Sequence, residues 1–156
     1  MDDLIAFLRD RLHEDELASR ATADSRGAPV CYAWAARPNP VRPSHWEVWT
    51  EEAWLLTRKQ TAEDAAHIAR HDPARVLAEV DAKRRTLARH VPERRRLTLT
   101  DEEGGTTSFG FYVCTACTPN RTIEHGQNVV EWPCPDVRAL ALPYADHADY
   151  RDAWRP

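Results

Sequence analysis

The sequence predicts a single α+β domain, mostly helical. Three observations carry that expectation. The first is length: 156 residues suit one compact domain that buries a sizeable core. The second is apolar periodicity of the helical kind in two stretches, near the N-terminus and over residues 61–91. The third is a set of short β-type runs separated by proline, glycine and acidic turn residues.

Residues 2–20 read as an amphipathic helix. Leu4, Leu8 and Leu12 recur at every fourth position, joined by Ile5 and Phe7, with acids and arginines between them. Asp2 and Asp3 stand where acids complement the helix N-terminus. Residues 28–60 form a tryptophan-rich segment holding Trp34, Trp46, Trp49 and Trp54. Its runs 30–35, 45–50 and 53–57 predict short strands, and the proline-rich stretch from Arg37 to Pro43 predicts irregular chain. Thr61-Ala62-Glu63-Asp64 has the form of a capping box, so a helix should run from there to about Arg70. Asp72-Pro73 restarts the chain with an N-cap residue and a first-turn proline. The second helix then continues to His90, before Pro92, with Val76, Leu77, Val80 and Leu87 on one face. Leu97–Thr100 and Phe109–Cys114 predict two strands around Glu102-Glu103-Gly104-Gly105, and Asp136–Leu142 a short helix stopped by Pro143.

Composition excludes several classes. Apolar residues make up 42% of the chain, too many for a disordered protein. No apolar run reaches the ~18 residues of a membrane span. The opening Met1-Asp2-Asp3-Leu4 lacks the basic segment of a signal peptide. The expected setting is therefore the cytoplasm, with no membrane partner, and in a reducing compartment clustered cysteines read as metal ligands before disulfides.

The cluster is Cys114-x2-Cys117-x7-His125-x8-Cys134, with Cys31 far away. A C-x-x-C turn presents two thiolates at the separation a tetrahedral zinc requires. A third cysteine just before a helix benefits from the helix dipole, which favours the thiolate. These residues predict a zinc-knuckle-like C-terminal unit over 109–156 with a closed, structural zinc. Three residues compete for the fourth ligand: His125 nearby, and His90 and Cys31 at a distance. The second C-x-x-C of a double-knuckle pattern is missing, as are the helical zinc-protease and deaminase signatures.

Long blocks of the chain carry a family resemblance. They are His67–Val80 followed by Ala82-Lys83-Arg84-Arg85, then Leu140–His147 followed by Asp149-Tyr150-Arg151 and Trp154-Arg155-Pro156, with the opening Asp2–Arg9. Together they resemble a domain-of-unknown-function family of small proteins from actinomycetes, chiefly Streptomyces-type, and their phages. The likeness covers about half of the chain, and residues 34–57 and 93–110 look variable. The resemblance implies a histidine at the end of the Lys-Arg-Arg helix, a C-x-x-C, and a cysteine before the Leu-Pro-Tyr segment. Carried over, it favours His90 with Cys114, Cys117 and Cys134. It implies no activity.

Charge adds one more feature. Lys83, Arg84, Arg85, Arg89, Arg94, Arg95 and Arg96 face the single acid Glu93, in a chain of net charge −4. Such a stretch can contact phosphates or a partner, or complement a helix C-terminus and the acidic first helix. His67 and His71, at i and i+4, and Asp146-His147 with Asp149 suit local structural roles better than catalysis. The leading expectation is a zinc-stabilised accessory or regulatory protein, engaging a protein or nucleic-acid partner and phage or mobile-element related. The alternatives are a small metal-dependent hydrolase or nuclease using His67, His71 or His147, and a redox-sensing C-x-x-C protein.

Overall fold

The computed structural model describes residues 3–24, 32–51, 53–100, 102–118 and 129–156. The chain divides into two compact units, Met1–Asp10 with Lys83–Pro156, and Arg11–Ala82. Among the described residues there are four α-helices and five strands in two antiparallel sheets. Helix accounts for 43% and strand for 26%. This corrects the expectation of a mostly helical chain. The physical reason lies in residues 92–114, where the strands are far longer than their apolar pattern indicates.

Helix α1 (Asp3–Asp24) opens the chain. Its leucine repeat does what the spacing requires: Leu4, Leu8 and Leu12 are each at most 2% exposed. A three-stranded meander follows, β1 (Trp34–Pro38), β2 (Trp46–Thr50) and β3 (Leu55–Gln60), in the order β1-β2-β3. β1 starts later than the sequence suggests and runs into the proline-rich stretch, which is possible because an edge strand tolerates Pro38 without its N–H. The turn after it is an Asn39 device: Oδ1 accepts from the backbone of Val41 and Arg42, while Nδ2 donates to Glu47. That bond, with one from Trp49 Nε1 to the other oxygen, satisfies the buried Glu47 carboxylate.

Helix α2 (Ala62–Arg70) begins at Thr61, whose Oγ1 accepts from the Asp64 backbone N–H at 3.1 Å. Thr61→Ala should therefore lower stability by about 1 kcal/mol, read as a shift in urea midpoint without a change in slope. Helix α3 (Pro73–Arg89) starts on Asp72, which accepts from the Arg75 N–H at 2.8 Å. The strands β4 (Pro92–Thr100) and β5 (Thr106–Cys114) then form a two-stranded ribbon, paired at nine positions from Pro92↔Cys114 to Thr100↔Thr106. Gly104, in the turn, adopts φ +85°, a conformation costly for any other residue. Helix α4 (Pro135–Ala139) and two 3-10 turns, Leu142–Tyr144 and Asp152–Trp154, close the chain.

The core of the first unit gathers Leu4, Phe7 and Leu8 with Cys114, Trp132, Cys134, Val137, Ala141 and Trp154. Two cysteines thus lie among fully buried apolar side chains. Among the described residues of the second unit, Leu12, Val48 and Ala65 are fully buried. No described helix is long and apolar enough to cross a membrane.

Candidate metal centre

Three pieces of backbone deliver the cysteine cluster, and each is fixed locally. His90 directly follows α3 and keeps the helical bond from its N–H to the Thr86 carbonyl, at 3.1 Å. Cys114 ends β5, with its N–H bonded to Val130 O at 3.0 Å. The C-x-x-C segment turns back on itself through the bond from Thr118 N–H to Cys114 O, at 2.9 Å. Thr118 is 2% exposed, and its hydroxyl oxygen accepts from Val130 N–H at 3.0 Å, which ties the turn to the returning chain. Cys134 is the N-cap residue of α4, its carbonyl accepting from Arg138 N–H.

The result places one ring nitrogen against three sulfurs. His90 Nδ1 lies 3.4 Å from Cys114 Sγ, 3.5 Å from Cys117 Sγ and 3.4 Å from Cys134 Sγ. All four ligand atoms fall within 4.8 Å of one another. Hydrogen bonding alone does not account for this. An imidazole nitrogen carries one proton or one lone pair, so it serves one sulfur well and not three at equal distance. A tetrahedral zinc does account for it. Bonds of about 2.3 Å to sulfur and about 2.0 Å to nitrogen set each nitrogen–sulfur edge near 3.5 Å. The four residues can hold a metal ion.

The electrostatics agree. Burial pushes the Cys117 thiol up to about 12, reinforced by hydrogen bonding with the Cys114 and Cys134 sulfurs. Burial raises Cys134 too, opposed in part by the Val137 backbone N–H at the start of α4. Packed thiols resist becoming thiolates together without a cation between them. A thiol primed for nucleophilic or redox work needs the opposite shift.

One nearby carboxylate escaped the sequence reading. Asp136 Oδ2 lies 3.9 Å from His90 Nε2 and 3.8 Å from Cys117 Sγ. It faces the ring nitrogen that does not point at the sulfurs, where a carboxylate orients a metal-bound imidazole. Its position two residues after Cys134 was the available signal, but an acid in a helix first turn has an ordinary explanation.

Other candidate residues are placed elsewhere. His125 and Cys31 lie outside the described residues. The cluster joins His90, from the end of α3, to the three cysteines of the C-terminal unit expected over 109–156, which is the set the family resemblance favours. His71 Nδ1 sits 2.9 Å from the His67 carbonyl, and the two rings are 4.4 Å apart. His147 packs on Phe7 and accepts from the Asp149 backbone N–H. Among the described residues, no second group of three or more possible ligands forms.

The basic stretch is spread over α3 and the two faces of β4. Lys83 Nζ lies over the Tyr144 ring at 5.5 Å. Arg84, Arg85 and Arg89 are exposed on α3. Strand alternation puts Arg94 and Arg96 on one face of the ribbon and Arg95 on the other, where it pairs with Glu93 at 2.7 Å. A cleft of about 360 Å³ next to His90 is lined by Ile5, Leu87, Val91, Pro92 and Trp132, with Ala88, Arg9 and Arg84. Among the described residues, no carboxylate, serine or cysteine lines it.

Over residues 1–156 the chain matches a family of unknown function, DUF6221. No curated protein and no solved structure matches it.

Proposed function

We propose, on the premise that this chain belongs to DUF6221, that it is a non-enzymatic binding protein built around a structural zinc. The ligands would be His90, Cys114, Cys117 and Cys134. The observation that carries this reading is the near-equal spacing of His90 Nδ1 from three sulfurs. A Cys3His set suits zinc by softness and geometry, and four protein ligands leave no open position for a substrate or a water. Among the described residues, the cleft beside His90 is lined by apolar side chains and arginines without a carboxylate. The work assigned to the metal is mechanical. It fastens the end of α3, the base of the β4–β5 ribbon and the start of α4, so that the ribbon stands on a fixed base for a macromolecular partner.

Protein purified under reducing conditions should contain about one zinc per chain. Replacement by cobalt should give the intense visible absorption of a tetrahedral thiolate site. Zinc below about 0.2 per chain in protein never exposed to chelator, or a cobalt spectrum of octahedral type, would sink the assignment.

A further inference from the structure

The β4–β5 ribbon has two unlike faces. Residues directly opposite in an antiparallel pair point to the same side, so the pairing register sorts every side chain. One side carries Leu97, Leu99, Phe109 and Phe111, with Glu93 and Arg95 paired near its foot. The other side sets Arg94 opposite Tyr112, Arg96 opposite Gly110 and Thr98 opposite Ser108. All six are exposed, and no position of that side in either strand is an acid.

The arginines of this side call for an anion. Arg94 and Arg96 have no ion-pair partner among the described residues, whereas Arg95 between them pairs with Glu93. Arg94 also folds down onto the ribbon: its Nε and Nη2 each stand 3.4 Å from where a side chain on Gly110 would begin. Gly110 is the residue opposite Arg96, so the Arg94 guanidinium lies over the neighbouring cross-strand pair and the two cations share one patch. Like charges gathered without a carboxylate repel, and an anion bound between them relieves that repulsion. Strand rise sets the two arginines about 7 Å apart along the backbone, a spacing at which each can meet one of two successive phosphates.

We propose that this side of the ribbon binds a single-stranded nucleic acid, with Arg94 and Arg96 on its phosphates and a base stacked on Tyr112. The inference rests on the reading of the ribbon as an arm offered to a macromolecular partner, and it names that partner's chemistry. Tyr112 is 39% exposed directly opposite Arg94, and an aromatic ring beside an arginine is a platform for unpaired bases. An acidic polypeptide has no base to place there, and a duplex keeps its bases stacked on one another. Glu102 and Glu103 stand in the turn beyond Thr100. Thr100 itself is about 13 Å of strand from Arg96, more than the ~8 Å Debye length at physiological salt.

The test is fluorescence anisotropy of the full chain, reduced and supplied with zinc, with a labelled oligothymidylate of about ten nucleotides. Between about 50 and about 200 mM salt, log affinity should fall against log salt with a slope of about −1.4, from about −0.7 for each of two phosphates. Arg94→Gln and Arg96→Gln should each bring that slope down to about half. Tyr112→Ala should weaken binding about fivefold or more at an unchanged slope, and Tyr112→Phe should restore it. Arg70→Glu, an exposed change in the other unit that alters net charge more than either glutamine, should leave binding as it is. A wild type that does not bind at about 50 mM salt, a slope that survives both arginine changes, or a Tyr112→Ala protein of full affinity would overturn the proposal. So would equally tight binding of poly-glutamate or of a duplex of the same length. Zinc content, measured on the same samples, tests the metal reading separately: a zinc-loaded protein that ignores the oligonucleotide sinks this inference alone.

Discussion

Cys134→Ala is expected to release the metal and to lower the thermal midpoint by on the order of 10 °C. Cys134 is fully buried and stands at the N-cap of α4, with its sulfur 3.4 Å from His90 Nδ1. The substitution leaves three ligands and a small apolar gap. The gap alone is minor, because alanine is only slightly smaller than cysteine. The larger loss is the metal, whose binding free energy in a structural site is part of the folding free energy. The check is a pair of measurements on wild type and variant, metal content and a melting curve with and without chelator. In the wild type the chelator should reproduce most of the fall seen in the variant. In the variant it should do nothing further. Identical melting of the two proteins in excess zinc would mean that the site holds nothing together. Asp136→Asn makes the complementary case: the ligands remain, and affinity should drop by about 10- to 100-fold while the stoichiometry at saturation is kept.

Trp154→Ala should cost about 3–5 kcal/mol. The residue is 8% exposed and its ring lies 5.0 Å from that of Phe7 and 5.8 Å from that of Tyr150. Arg151 covers the indole at 5.4 Å and pairs with Asp3 at 2.7 Å. The tryptophan therefore holds the C-terminal segment against the first turns of α1. Urea unfolding should show a lower midpoint while metal content stays at the wild-type level, which separates this loss from that of a ligand. Trp154→Phe should recover part of the stability, because the ring stack is partly retained. A variant as stable as the wild type would show that the C-terminal segment docks without contributing.

What could be read from the sequence was local. The leucine repeat of α1, the Thr61 cap and the Asp72-Pro73 restart all act within one or two helical turns, so their signals sit in adjacent residues. The cysteines were visible by spacing. Nothing local pointed to His90 over His125, because the path from His90 to Cys114 runs up one strand and down another. Only the family resemblance favoured it. The full extent of the ribbon was hidden for a related reason. Glu93-Arg94-Arg95-Arg96 and Thr106-Thr107-Ser108 show no apolar alternation, since most of these side chains face solvent. The same alternation of faces separates adjacent arginines: Arg95 pairs with Glu93 on the face opposite Arg94 and Arg96.

The pairing of Pro92 with Cys114 at the foot of the ribbon has an evolutionary consequence. Of the candidate ligand residues only Cys114 belongs to the ribbon, as the last residue at its foot, so the length above that pair is decoupled from the cluster's geometry. Removing two residues from each strand would shorten the reach by about 7 Å and return every remaining side chain to its original face. Removing one from each would invert the faces and leave the ligands where they are. Lineages could thus lengthen, shorten or turn over this arm by matched insertions and deletions while inheriting the same anchor.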